Sequence, residues 1–239
     1  ADSVNTPCNE LGPYAFGYRT EISNAEVLWT DLLMFSNDCS GHFDIQFIYR
    51  ANQTNNQTIQ HTVQPIRFLN SAANDLYPSF YGEGFYHFDE WGTDVSKIKK
   101  IVFCSDREGD FNLYEVSLPG HSSLIETLSS DSLLETTKLS INTLQDDKCP
   151  FVNGKLLVFT SNRSGGYGGF DLYYSLWSNN TWTAPINFGE KINTGYDEYR
   201  PITLYYNKFD NSLMIFSSNR PGGKGGYDLY YVGIKQMIK

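Results

Sequence analysis

The stretch SNRSGGYGGFDLYY, residues 161–174, packs Gly165, Gly166, Gly168 and Gly169 into five positions. A phosphate-binding loop would need Lys-Ser or Lys-Thr after its last glycine, then a helix whose first amides hold the anion. Here the glycines run into Phe170, Asp171, Leu172, Tyr173 and Tyr174, a strand-forming string. The same phrase returns as SNRPGGKGGYDLYY at residues 218–231. A recurring loop argues for a structural repeat rather than one nucleotide site.

Weaker copies stand at IVFCSDREGDFNLYEV (101–116) and LMFSNDCSGHFDIQF (33–47), which makes four hairpins. In each, an apolar strand ends in Ser-Asn or Ser-Asp, a short polar turn follows, and a second strand begins at an aromatic residue. Upstream of each hairpin an acidic residue stands three positions before a proline: Glu10 and Pro13, Asp75 and Pro78, Asp147 and Pro150, Glu198 and Pro201. Proline has no amide donor, so it suits the start of a strand rather than its middle. Spacings of 65, 72 and 51 residues between the prolines leave room for one four-stranded antiparallel sheet per unit. Such sheets must stack to bury both faces. The expected fold is therefore an all-β single domain, a β-propeller of four blades, with five as the alternative. The units run over about residues 10–74, 75–146, 147–197 and 198–239, and residues 1–9 are expected to pair with the last unit and close the ring.

The strings FTSNRSGGYGGFDLYYSLWSNNTWTAPINFGEKINTGYDEYRP (159–201) and FSSNRPGGKGGYDLYYV (216–232) resemble the TolB-like periplasmic β-propeller repeat found in cell-envelope proteins of Bacteroidetes. The resemblance covers residues 150–232 most fully and extends to 75–116 and 10–47, where Asp38 replaces the arginine of the other units. It implies a propeller and an exported protein of the periplasm or cell surface, with a lipid anchor compatible outside residues 1–239. It implies no reaction.

Aromatic residues make up 15% of the chain, a composition of a packed β protein, and no run of eighteen apolar residues suggests a membrane span. The start, ADSVNTPCNE, lacks the pattern of a signal peptide, so a processed or trimmed chain is expected. Residues 1–96 hold 12 acidic and 3 basic side chains, against 15 of each in the remainder, and that acidity argues against a nucleic-acid partner. Cys8, Cys39, Cys104 and Cys149 show no zinc-type spacing. Of their three possible pairings, Cys8 with Cys39 and Cys104 with Cys149 is preferred, with free buried thiols as the alternative.

Repetition sorts the candidate residues. Arg107, Arg163 and Arg220 follow the Ser-Asn/Asp pairs and are expected to bridge to Asp75, Asp147 and Glu198; the alternative is an arginine ring at the channel mouth for an anionic ligand. Asp44, Asn112, Asp171 and Asp228 open the third strand of each unit and are expected to accept bonds from turn amides. No cofactor is expected; calcium is the alternative reading of those positions, although it needs six to eight oxygens per ion.

A scaffold does not require its unrepeated features. From the proline to the strand phenylalanine takes 9 residues in the third unit but 25 in the second, and the excess contains YGEGFYHFDEWGTD (81–94). Tyr81, Phe85, Tyr86, His87, Asp89, Glu90 and Trp91 there are read as a candidate binding surface for a protein or a sugar ring. The bland alternative is a hairpin whose aromatics tuck into the sheet. No G-x-S-x-G or H-E-x-x-H motif is present, so no catalytic residue is assigned. The resulting expectation is a non-enzymatic scaffold binding an envelope protein partner. The alternative is a carbohydrate-binding or carbohydrate-active propeller, a hydrolase or lyase.

Overall fold

The computed structural model describes residues 4–23, 26–53, 58–60, 62–87, 93–120, 123–205 and 208–237. Its strands fall into four antiparallel sheets that follow one another in chain order. The first contains β1 (Glu10–Ser23), β2 (Glu26–Asn37), β3 (Asp44–Gln53), β4 (Thr58–Gln60) and β5 (Gln64–Pro65). The second contains β6 (Asp75–Tyr81), β7 (Lys100–Glu108), β8 (Asp110–Ser117) and β9 (Thr136–Lys138). The third contains β10 (Asp147–Asn153), β11 (Leu156–Ser161), β12 (Asp171–Ser178), β13 (Thr181–Trp182) and β14 (Ile186–Asn187). The fourth contains β15 (Glu198–Leu204), β16 (Asn211–Ser218) and β17 (Asp228–Lys235). These are the blades of a four-bladed β-propeller, with β1, β6, β10 and β15 innermost. One short helix, α1 (Leu124–Leu128), decorates the link between second and third blades, held by a capping box between Ser123 and Glu126.

The blades stack through alternating apolar positions. Phe16, Met34 and Phe47 of the first meet Phe80, Ile101 and Phe103 of the second, while Leu113 and Val102 on the second blade's other face meet Leu157, Phe159 and Tyr173 of the third. Leu156, Val158 and Leu172 then meet Met214 and Phe216 of the fourth. Period-two alternation thus gives each inner blade two buried faces, as stacked sheets require.

Two expectations need correction. The fourth blade has three strands among the described residues, not four. Residues 4–9 do not supply the missing one: a Cys8–Cys39 disulfide and hydrogen bonds from the Asn9 amide and side chain to Asp38, 2.8 and 2.7 Å, fix them to the β2–β3 turn of the first blade. A covalent tether to the near blade outcompetes pairing with the far one. Cys104 and Cys149, the other preferred pair, are buried free thiols.

The glycine turn exists for close packing. A Cβ on Gly168 would collide with the backbone carbonyl oxygen of Tyr196, in the connection to the fourth blade, and would crowd that of Thr194. In the fourth blade a Cβ on the corresponding Gly225 would meet, among the described residues, only the Tyr227 carbonyl, 3.8 Å away. Gly168→Ala is therefore expected to cost about 2–3 kcal/mol, and Gly225→Ala under about 0.5. Urea unfolding of the two variants checks this; equal losses would mean that the repeat, not the neighbouring connection, demands the glycine.

Candidate functional site

The repeated arginines are locked into the frame. Arg107 donates to Asp75 at 2.6 Å, Arg163 to Asp147 at 2.6 Å and Arg220 to Glu198 at 2.9 Å, and all three carboxylates are fully buried. Each guanidinium also bonds the serine two residues before it and a carbonyl of the preceding connection: Leu69, Ile141 or Ile192. It lies besides over two rings of its own blade, Phe159 and Tyr173 in the case of Arg163. With donors so committed, these arginines leave little for a ligand.

The residues that open the third strands serve the turns. Asp171 accepts from the amides of Tyr167 and Gly168 and from Asn187, and Asp228 accepts from the amides of Lys224 and Gly225. Asp44 accepts from Ser40, and Asn112 donates to the Asp110 carbonyl. Among the described residues no cluster of three or more His, Cys, Asp or Glu side chains could hold a metal ion.

The unrepeated segment after β6 corrects the binding-surface reading. Tyr81, Phe85 and His87 are buried and Tyr86 is half-buried, so they present little area to a partner; Asp89, Glu90 and Trp91 lie outside the described residues. Phe85 and His87 enter the core between the inner strands. His87 packs against Tyr14, Phe85 and Phe151, and its amide donates to the Asn153 side chain. Its Nε2 donates to the Val152 carbonyl at 2.9 Å, which leaves Nδ1 to accept from the Tyr14 hydroxyl at 3.1 Å. Burial lowers the imidazole to about 4 and raises the Tyr14 phenol, so both stay neutral. The insertion plugs the propeller because its apolar rings gain more by filling the axis than by meeting water.

The blades converge instead on a pocket of about 190 Å³ at the start of the inner strands. It is lined by the four prolines and by the residues before them: Gly12, Tyr77, Cys149 and Arg200. In all four strands the pairing slips at this point. The residue before proline takes a left-handed backbone, φ 62°, 56°, 52° and 53° in chain order. Three of these residues carry side chains, which costs roughly 1–3 kcal/mol apiece and, before proline, is doubly disfavoured. The bulge aims a variable residue at the axis from an otherwise repeated strand.

Those variable residues differ in chemistry. The Arg200 guanidinium is exposed, 5.1 Å from the Tyr77 ring centre and 5.8 Å from that of Tyr199, and it has no carboxylate partner among the described residues. Burial raises the Tyr77 phenol, with Arg200 opposing, so Tyr77 keeps its proton at neutral pH. Burial also pushes the Cys149 thiol up to about 12, which leaves it inert. Sequence reasoning missed Tyr77 and Arg200 because it read the acidic-x-x-Pro motif for what repeats. The signal was the position that does not: Gly, Tyr, Cys, Arg.

No family model matches the chain, and no curated protein matches it. Solved structures do. A BT0996 complex with RGII superposes with a TM-score of 0.57 at 10% identity, covering 95% of this chain and 71% of the other. A glycoside hydrolase gives 0.54 at 9% identity, covering 98% and 76%. An α-L-arabinofuranosidase from Lactobacillus brevis gives 0.52 at 12% identity, covering 93% and 68%. At such identities the likeness establishes the propeller fold. It also corrects the expectation of a non-enzymatic, protein-binding scaffold: two of these neighbours are glycoside hydrolases by name, and the reading gives way to the carbohydrate-active alternative.

Proposed function

We propose that this chain is a carbohydrate-active propeller that takes the acidic terminal sugar of a glycan into its axial pocket. The observation that carries the reading is Arg200: a guanidinium over the Tyr77 ring, without a carboxylate partner among the described residues, aimed by a strained bulge into the pocket all four blades share. The buried Tyr77 ring lies beneath the guanidinium and holds it in place, and a guanidinium pairs in fork geometry with a carboxylate or sulfate substituent. The pocket is smaller than the roughly 300–1,000 Å³ that encloses a drug-sized ligand, so it suits one terminal residue rather than a chain segment. Arg200 can neutralise the acidic group, and Tyr77, which stays protonated, can donate a hydrogen bond to an oxygen of the bound sugar. The propeller hydrolases among the structural neighbours support the substrate class. The resemblance to TolB-like envelope repeats supports an exported protein meeting its glycan in the periplasm or at the cell surface.

The test is binding and turnover on paired acidic and neutral oligosaccharides. The native chain is expected to prefer the acidic member. Arg200→Ala is expected to lose about tenfold or more in affinity for it, roughly 1.4 kcal/mol, with an unchanged Tm because the side chain is exposed. Equal handling of both oligosaccharides, or an unaffected Arg200→Ala variant, would reject the pocket.

A further inference from the structure

We infer that a cleft between the second and third blades, at the opposite end of the propeller from the axial pocket, is a second site for acidic glycan, one that grips a stretch of the chain rather than its terminus. The ligand class rests on the reading of the axial pocket; the place is marked independently, by positions where one blade departs from the repeat. Asn37, Ser105, Ser161 and Ser218 pair with the Asp or Asn that opens each third strand. Five residues before them the first, third and fourth blades carry Leu32, Leu156 and Leu213, and three residues after the strand-opening Asp they carry Phe47, Tyr174 and Tyr231. The second blade alone has charges at both positions, Lys100 and Glu115. The two form an ion pair with side chains only 26% and 14% exposed. Leucine and an aromatic residue would pack there without taking two charges out of water, so the frame does not call for this pair.

Lys100 stands on the wall of a cleft of about 480 Å³ built from the end of β6, the start of β7, the β10–β11 turn and the β12–β13 turn. The axial pocket lies towards the start of the inner strands, so the two sites face opposite ways. Glu115 accepts from Lys100 and from the Tyr81 hydroxyl, and the Lys100 Nζ lies 5.9 and 5.6 Å from the ring centres of Tyr81 and Trp177. Those contacts fix the ammonium in place. Glu115 is its one hydrogen-bond acceptor among the described residues, which leaves it N–H groups for a ligand.

The rest of the cleft suits an anion that also carries hydroxyls. Lys99 and Lys155 join Lys100 on its walls against the single carboxylate of Glu83, in a chain whose net charge is −9. Lys155 is exposed, and its amine has no partner among the described residues. Beside it Asn179 and Asn180 turn the β12–β13 hairpin with left-handed backbones, φ 52° and 60°, and their exposed amides can bond sugar hydroxyls. The lysines then take the carboxylates of the glycan. The volume falls within the roughly 300–1,000 Å³ of ordinary ligand sites, which the axial pocket does not reach, so the cleft has room for a segment of chain.

Calorimetric titration with a uronic-acid hexamer and its neutral counterpart tests this. The native chain should bind the acidic hexamer at two sites and the neutral one more weakly at both. Arg200→Ala should remove the axial site and spare the cleft. Lys155→Glu, an exposed change that should leave Tm unaltered, should weaken the cleft about tenfold or more and spare the axis. Lys100→Met with Glu115→Gln, which removes both charges together, should weaken the cleft likewise. A single site lost with Arg200→Ala, a second site indifferent to either cleft variant, or equal cleft affinity for the neutral hexamer would overturn the inference and leave the axial reading standing. A single site that answers to Lys155→Glu and not to Arg200→Ala would uphold the cleft and reject the axial pocket, and an acidic hexamer that does not bind at all would reject both.

Discussion

Arg163→Met is expected to destabilise the protein by about 3–5 kcal/mol. The substitution keeps most of the apolar stem but strands the Asp147 carboxylate, which is fully buried and accepts 2.6 Å from the guanidinium. The remaining donors to Asp147, the Thr143 amide and hydroxyl at 2.7 and 3.1 Å, satisfy one oxygen without neutralising the charge. Arg163→Lys should recover little of the loss. Lysine cannot reach Ser161, the Ile141 carbonyl and Asp147 together, nor lie flat over the neighbouring rings of Phe159 and Tyr173. Removing both charges, as Arg163→Met with Asp147→Asn, should be milder than Arg163→Met alone, because the cost lies in the unpaired ion. Urea midpoints decide the matter. A loss below about 1 kcal/mol for Arg163→Met would mean that the pair behaves as a solvated surface bridge.

The second large effect is a loss of stability in mild acid. His87 is neutral in the folded protein, with its pKa lowered from 6.5 to about 4 by burial. Above pH 6.5 neither state binds the proton, and the group contributes no pH dependence. As pH falls from about 6.5 towards 4 the unfolded chain takes up a proton that the folded one refuses, so stability drops. At 1.36 kcal/mol per unit the full loss is about 3 kcal/mol, complete near pH 4. His87→Phe keeps a ring among Tyr14, Phe85 and Phe151 but abandons the bonds to Val152 and Tyr14. The variant should be less stable at pH 7, yet its stability should fall less steeply between pH 6.5 and 4. Parallel pH profiles for the two proteins would show that His87 is not the group responsible.

What the sequence by itself determined is the repeat and, through it, the propeller. Ser-Asn-Arg turns, strands opening at Asp171 and Asp228, and prolines three residues after Asp75, Asp147 and Glu198 are local features whose backbone needs recur wherever the motif recurs. That is why they could be read without coordinates. The pairing of Arg163 with Asp147 was legible for the same reason, since a contact made identically in several blades leaves a covarying trace inside one chain.

Only the tertiary structure decided where the unrepeated residues went. Phe85 and His87 looked like exposed adhesive side chains, and the folded chain buried them among Tyr14, Phe16 and Phe151 of the inner strands. Leu229 reads like Leu172, yet one is exposed and the other buried, because burial belongs to the neighbouring sheet and not to the residue. Arg200 and Tyr77 came together from blades far apart in the chain, aimed by bulges that no spacing announces. Local propensity and periodicity are written along the chain; convergence at an axis is a property of how the blades stack.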